Sequence, residues 1–200
     1  WCTETGVEVA STGIQIHGGM GFIEETGAAQ HLRDARITTI YEGTTGIQAN
    51  DLIGRKVLRD GGRSMQALLS QIDAVCEQLE AGDDAQLHAI GARLREGSKS
   101  LADSVRWILA TGMQDLNAVL AGAVPFLHLC GVVCGGWQMA RAALAAQRKL
   151  AAGDSDAAFY RAKVATARFF ADQDLSRARG LAEATMHAGA STMALAEEQF

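Results

Sequence analysis

Apolar side chains recur along most of this chain three and four residues apart, which is the spacing of one face of an α-helix. The clearest stretch follows Gly61-Gly62, where six apolar residues share one face: Leu68, Leu69, Ile72, Val75, Cys76 and Leu79. The alternation of apolar and polar residues that is typical of strands is scarce. The pattern therefore predicts an all-α fold built as a helical bundle.

Capping residues and glycines divide this pattern into two predicted domains, 1–60 and 61–200. The first should hold helices over roughly residues 1–16, 28–36 and 44–59, the last capped by Thr44 and stopped at Gly61-Gly62. The second should be an accessory up-down bundle of four long helices. We expect one that stops near Gly82, one capped by Asp84, one over Pro125–Ala152, and one from Asp156 to about Gly180, with a last helix running on to His187 or Glu197.

The stretch from Leu116 to Ala140 contains no Asp, Glu, Lys or Arg and is long enough to cross a membrane. Five residues interrupt it, so we expect a central bundle helix and no membrane span: Pro125, His128, Gly131, Gly135 and Gly136. The formal net charge is −5, which gives no basic field for nucleic acid.

Four cysteines occur without an accompanying set of histidines: Cys2, Cys76, Cys130 and Cys134. We expect buried free thiols and no metal site. Free thiols are typical of a reducing compartment.

The segment with the most chemical content is Ile40-Tyr41-Glu42-Gly43-Thr44-Thr45. A glycine beside a carboxylate lets a ligand approach the backbone, and a helix that begins at Thr44 presents free N–H groups. One carboxylate and several donors at a loop-to-helix junction suit the removal of a proton next to a carbonyl. Taken alone, a Glu-Gly-Thr turn is usually only solvated.

A second unusual run, Gln15-Ile16-His17-Gly18-Gly19-Met20-Gly21-Phe22, lies upstream of it. Together the two runs resemble the C-terminal catalytic segment of the acyl-CoA dehydrogenases, over about Thr3 to Arg59. That family has Q-x-x-G-G-x-G-[FY], then Arg-Asp, then [IY]-Y-E-G-T, and here Arg33-Asp34 lies between the two runs in the same order. The residues after Thr44 are similar to a bacterial subgroup that includes enzymes like 3-methylmercaptopropionyl-CoA dehydrogenase and carries a helical extension.

The resemblance implies an FAD-dependent α,β-dehydrogenation of an acyl-CoA thioester to trans-2-enoyl-CoA. Glu42 would be the catalytic base, and Gly43 would let the substrate approach. Contacts to the FAD of a neighbouring subunit are implied for five residues: Gln15, Ile16, His17, Gly18 and Gly19. Thr44 and Thr45 would touch the FAD of one site. Many members follow Glu-Gly-Thr with Ser-Gln and use that Gln to bind FAD, whereas this chain has Thr45-Gly46 and no amide side chain there.

The resemblance also implies a homo-oligomer, a dimer or dimer of dimers, and electron transfer to an electron-transferring flavoprotein. The location would be the cytoplasm of a bacterium or the mitochondrial matrix. Because the family's N-terminal helical domain and β-domain are missing, we expect a C-terminal fragment that is inactive alone and holds no FAD. Two alternatives stay open: a helical dimerisation or interaction module without chemistry, and an acyl-CoA oxidase.

Overall fold

In a computed structural model, residues 1–199 are described, and they form helices and turns with no strand among them. The all-α prediction is therefore confirmed. Two compact units meet between Asp51 and Leu52. This border lies upstream of the Gly61-Gly62 pair at which the sequence predicts a domain boundary, and the domain limits 1–60 and 61–200 stay a prediction.

The first unit consists of four α-helices and a short 3₁₀ turn, Glu24–Thr26. The α-helices are α1 (Cys2–His17), α2 (Gly19–Phe22), α3 (Ala28–Ile37) and α4 (Thr45–Asp51). Helix α1 packs against α2 and α3. The guanidinium of Arg33 donates to both carboxylate oxygens of Glu24 at 2.8 Å each and holds the pKa of Glu24 below its ordinary value. This ion pair thus helps to fix the orientation of α3.

This first unit buries little of its own apolar surface. Its buried residues are Gly21, Thr39 and Ala49. Several large apolar side chains are at least half exposed: Val9, Ile16, Met20, Phe22, Ile37, Ile40, Tyr41 and Ile47. So much exposed apolar surface is typical of a face that another part of an assembly covers.

The helix predicted over 44–59 is only partly α-helical. After α4, residues Leu52–Leu58 form a π-helix that anchors Ile53 and Val57 in the core. Helix propensity does not distinguish the two hydrogen-bond spacings, so the sequence carried no warning of it. Gly61 and Gly62 then end the helix as predicted, with φ of 64° and 78°.

The second unit is a bundle whose helices are joined by short turns. They are α5 (Arg63–Glu80), α6 (Ala85–Thr111), α7 (Leu116–Ala121), α8 (Ala123–Ala151), α9 (Ala157–Gln173) and α10 (Ala178–Thr192). Asp84 caps α6 as predicted, since its Oδ1 accepts from the N–H groups of Gln86 and Leu87 at 2.8 and 3.1 Å. Helix α8 contacts α5, α6, α9 and α10.

The fourth helix predicted from Asp156 to Gly180 is interrupted. Helix α9 ends at Gln173, a 3₁₀ turn covers Leu175–Arg177, and α10 follows. The buried Leu175 fills a hole left by two glycines: a Cβ on Gly97 or Gly136 would come within 3.2 or 2.7 Å of its side chain. The chain bends because Leu175 inserts between α6 and α8.

Helix α8 has the length and the mean hydropathy, 1.3 over its most apolar window, to cross a membrane. In the second unit it is instead the central helix of the bundle, with Phe126, Leu129, Val132 and Val133 buried among its neighbours. Only 39% of this most apolar stretch of 18 residues is buried, so part of α8 faces outward.

The four cysteines are free. Burial raises the pKa of the Cys76 thiol to about 11. Cys130 and Cys134 are half-buried and Cys2 is exposed, so the expectation of burial is wrong for Cys2. Across residues 1–199, no three His, Cys, Asp or Glu side chains are grouped to hold a metal ion.

Candidate functional site

The loop between α3 and α4 holds Glu42 in an unusual backbone conformation. Glu42 has a φ of 55° and is the one non-glycine residue with a positive φ between residues 1 and 199. The left-handed conformation costs a side-chain-bearing residue about 1–2 kcal/mol. Gly43, with a φ of 92°, continues the same turn without that cost. Surrounding contacts must therefore hold Glu42 in place.

One such contact comes from Gln48, which sequence reasoning missed. Its side-chain amide Nε2 donates to the carbonyl oxygen of Glu42 at 2.8 Å. A Cβ on Gly43 would lie 3.0 Å from that same amide nitrogen, so only glycine leaves Gln48 room to close over the turn. The available signal was a glutamine in the first turn of a helix that begins just after the loop.

The two threonines join this loop to the helices. The Thr44 hydroxyl accepts from the N–H of Ile47 at 3.5 Å, a long cap of α4 at the predicted position. The Thr45 hydroxyl donates to Oε1 of Glu4 at 2.5 Å, which ties the start of α4 to the start of α1. That proton is already used, so the Thr45 hydroxyl can only accept from a ligand.

The side of the loop that would meet a ligand is open. Glu42, Gly43 and Thr44 are exposed, and Thr45 is half-buried. A carboxylate and main-chain N–H groups therefore share one accessible surface at a helix start, where negative charge is stabilised. Chemically, this arrangement can take up a proton and hold an oxygen that gains charge.

The upstream run occupies the end of α1 and the start of α2, and its five predicted cofactor residues are all exposed: Gln15, Ile16, His17, Gly18 and Gly19. Gly18 has a φ of 61° where α1 ends. The His17 ring nitrogen Nδ1 donates to the Gly13 carbonyl at 2.8 Å. A Cβ on Gly21 would lie 2.9 Å from the Cα of Ile14, so α2 returns directly against α1.

The two predicted sets of cofactor residues lie at opposite ends of α1. The bond from Thr45 to Glu4 fixes the Glu42 loop near the first turn of α1. Gln15 lies eleven residues further along, which is roughly 16 Å of helix. The structure thus brings Glu42, Gly43, Thr44 and Thr45 together and leaves the Gln15–Gly19 run apart from them.

Two known families match this chain. The family described as "Acyl-CoA dehydrogenase, C-terminal domain" matches residues 1–58. The family described as "Acetyl-CoA dehydrogenase C-terminal like" matches residues 68–196. The Glu42 loop and the Gln15–Gly19 run both fall in the first match, and most of the bundle falls in the second.

Curated relatives agree with these matches. A 3-methylmercaptopropionyl-CoA dehydrogenase of Ruegeria pomeroyi is 55% identical over 88% of this chain and 29% of its own length. A broad-specificity linear acyl-CoA dehydrogenase of Mycobacterium tuberculosis is 33% identical over 79% of the chain and 27% of its own length. A butyryl-CoA dehydrogenase of Syntrophomonas wolfei is 31% identical over 92% of the chain and 30% of its own length. The chain thus spans under a third of each relative. It belongs to the acyl-CoA dehydrogenase family and matches the C-terminal domains of that family.

Proposed function

We propose that this chain is the C-terminal part of an FAD-dependent enzyme that converts an acyl-CoA thioester to its trans-2-enoyl-CoA, with Glu42 as the catalytic base. The observation that supports this most is the left-handed Glu42, clamped by Gln48 inside a Tyr-Glu-Gly-Thr loop. A residue that is held in a strained backbone conformation at an exposed helix start is typical of a functional site.

In this proposal the Glu42 carboxylate removes the α-proton of the thioester. The main-chain N–H of Glu42 donates to the thioester oxygen and stabilises the negative charge that develops there. Gly43 carries no side chain to obstruct the acyl group. When bound, FAD would supply the redox chemistry as the acceptor of the hydride lost from the β-carbon.

The residues present fit a flavin in part. The exposed turn at Gly18-Gly19 lets a ligand reach the main chain, and the exposed Thr44 and half-buried Thr45 offer hydroxyl oxygens. Gly46 offers no side-chain amide. Because the Gln15–Gly19 run lies about 16 Å of helix away from Thr45, contact with the flavin of a neighbouring subunit is the arrangement we propose for it.

The exposed apolar surface of the first unit supports the proposal that this unit is part of a larger enzyme. Phe22 and Ile16 are 80% and 79% exposed. We propose that further domains of the kind found in the relatives cover this surface and shield Glu42 from water. Cytoplasmic location and electron transfer to an electron-transferring flavoprotein belong to the same proposal.

We further propose that the chain forms a homodimer. More than half of the most apolar window of α8 is not buried within the bundle. A symmetric dimer is the commonest way to cover such a surface.

The test of the catalytic proposal replaces Glu42 by Gln in the complete enzyme. The amide keeps the shape of the side chain but cannot take a proton, so FAD should stay bound while enoyl-CoA formation falls by about 10²–10⁴-fold. Glu25→Gln, an exposed carboxylate of the same unit, is the matched control and should turn over normally. Unchanged turnover by Glu42→Gln would show that another residue is the catalytic base.

One observation favours a second candidate, a helical interaction module that keeps the motif without chemistry. Position 46 is glycine, so the amide contact that many family members make to FAD is missing. A complete enzyme that binds no FAD would favour this module.

A further inference from the structure

A groove of about 470 Å³ lies between the C-terminal half of α8 and the beginning of α9. Its floor is apolar and consists of Ala142, Ala145 and Ala146 with the aromatic rings of Phe159 and Tyr160. The two rings meet edge to face, with centroids 5.5 Å apart, and Phe159 is 49% exposed. An exposed aromatic floor of this kind suits apolar side chains.

Three cations surround this floor: Arg148, Lys149 and Lys163. Lys149 is already paired with Asp154 at 3.3 Å. Lys163 lies over the Phe159 ring at 5.0 Å. Within residues 1–199, neither Lys163 nor Arg148 pairs with a carboxylate. The groove therefore combines an apolar floor with two cations that are free to meet acidic groups.

The residues that follow α10 have the complementary chemistry. We call Met193–Gln199 the acidic segment. Met193 and Leu195 are 59% and 54% exposed. Glu197 and Glu198 follow in a 3₁₀ turn, and neither forms an ion pair in the described part of the chain. Apolar side chains come first and carboxylates next, as the floor and the rim of the groove require.

We infer that the acidic segment of one copy docks into the α8–α9 groove of a second copy. Met193 and Leu195 would lie on the apolar floor, and Glu197 and Glu198 would meet Arg148 and Lys163. The inference rests on the homodimer proposed above and is independent of the chemistry proposed for Glu42.

The groove of the same copy is out of reach. Helix α10 crosses the start of α8 at Gly122, where an added Cβ would lie 3.1 Å from the Cα of Thr185. Ala142 is twenty residues further along α8, which is roughly 30 Å. Met193–Glu198 spans at most about 20 Å when fully extended. Docking therefore needs a second copy.

In a dimer, both grooves and both acidic segments can be occupied at the same time. Each copy carries one groove towards one end of α8 and one acidic segment beyond the other end, so an antiparallel pair places each segment beside the partner's groove. The same contact then occurs twice around a two-fold axis, and the assembly closes at a dimer.

Charge reversal tests this docking in sedimentation experiments on the chain over a range of concentrations. Lys163→Glu should raise the dimer dissociation constant about tenfold or more, because it sets like charges against each other in the contact. The Glu197→Lys/Glu198→Lys variant should do the same. Combining the three changes with Arg148→Glu restores opposite charges at both contacts and should bring the dissociation constant back to within about threefold of wild type.

Lys99→Glu and Glu77→Lys are the matched controls, since both residues are exposed and lie outside the groove and the segment. They should leave the dissociation constant unchanged. A dimer that Lys163→Glu does not weaken, or that the combined variant does not restore, overturns the docking and leaves the dimer standing. A mass of 21.1 kDa at every concentration overturns both. Neither result bears on the Glu42 assay.

Discussion

At the residue scale, the conformation of Glu42 depends on Gln48. Replacing Gln48 by Ala removes the amide that holds the Glu42 carbonyl, so the loop should sample other conformations. We expect kcat of the complete enzyme to fall about tenfold or more, because misplacing a reacting group by an ångström is costly. Flavin content should stay normal. Gln66→Ala on the exposed face of α5 is the control. Equal kcat for the two variants would show that Gln48 does not position the base.

Asp60, just before α5, is a second residue whose environment sets its behaviour. The Ser64 hydroxyl donates to Asp60 at 2.5 Å, and the N–H groups of Ser64 and Gly62 donate at 3.0 and 2.9 Å. These bonds, the hydroxyl first, hold the pKa of Asp60 below its ordinary value of 3.8. Since the folded pKa is the lower one, the stabilisation is present above 3.8 and is lost as the pH falls through the folded pKa.

An NMR titration of the Asp60 carboxyl carbon should therefore give a midpoint below 3.8. Ser64→Ala removes the strongest donor and should shift that midpoint upward. Ser70→Ala, at an exposed position further along α5, should leave the midpoint unchanged. A midpoint that Ser64→Ala leaves in place would contradict the assigned cause.

At the element scale, α6 depends on its cap. Asp84→Ala leaves the N–H groups of Gln86 and Leu87 without an acceptor and should lower the free energy of unfolding by about 0.5–2 kcal/mol. Asp83→Ala, at the exposed neighbouring position, should change it by under about 0.5 kcal/mol. Urea unfolding of both variants measures the difference. Equal stabilities would mean that α6 does not need the cap.

Elements with local signals could be predicted from the sequence. The Asp84 cap and the Gly61-Gly62 stop depend on neighbouring residues, and the structure has both. The break between α9 and α10 could not be predicted, because Leu175 fits a hole made by Gly97 and Gly136 on two other helices. The short helix α2 was missed because its glycines are more typical of a turn.

The candidate site divides in the same way. The motif placed Glu42, Gly43 and Thr44 at a loop before a helix, which is where the structure has them. The left-handed conformation of Glu42, the Gln48 clamp and the bond from Thr45 to Glu4 depend on side chains brought together by folding. The proposed chemistry of Glu42 comes from the family resemblance, whereas the role of Gln48 in positioning it comes from the structure.

At the scale of the whole molecule, the 200-residue chain should purify colourless. Glu42, Gly43 and Thr44 are exposed to solvent, whereas tight cofactor sites bury most of their ligand. Absorbance between 350 and 500 nm measures bound flavin, with the complete enzyme as the positive control. A yellow preparation of the chain with near-stoichiometric flavin would contradict this.

The central claim is that Glu42 removes the α-proton of an acyl-CoA thioester. Its most direct measurement follows the loss of deuterium from an α-deuterated acyl-CoA into water, in the complete enzyme, for wild type, Glu42→Gln and Glu25→Gln. We predict deuterium loss with wild type and Glu25→Gln, and a rate lower by about 10²–10⁴-fold with Glu42→Gln. Deuterium loss at the wild-type rate in Glu42→Gln, with FAD still bound, would contradict the assignment of Glu42 as the base.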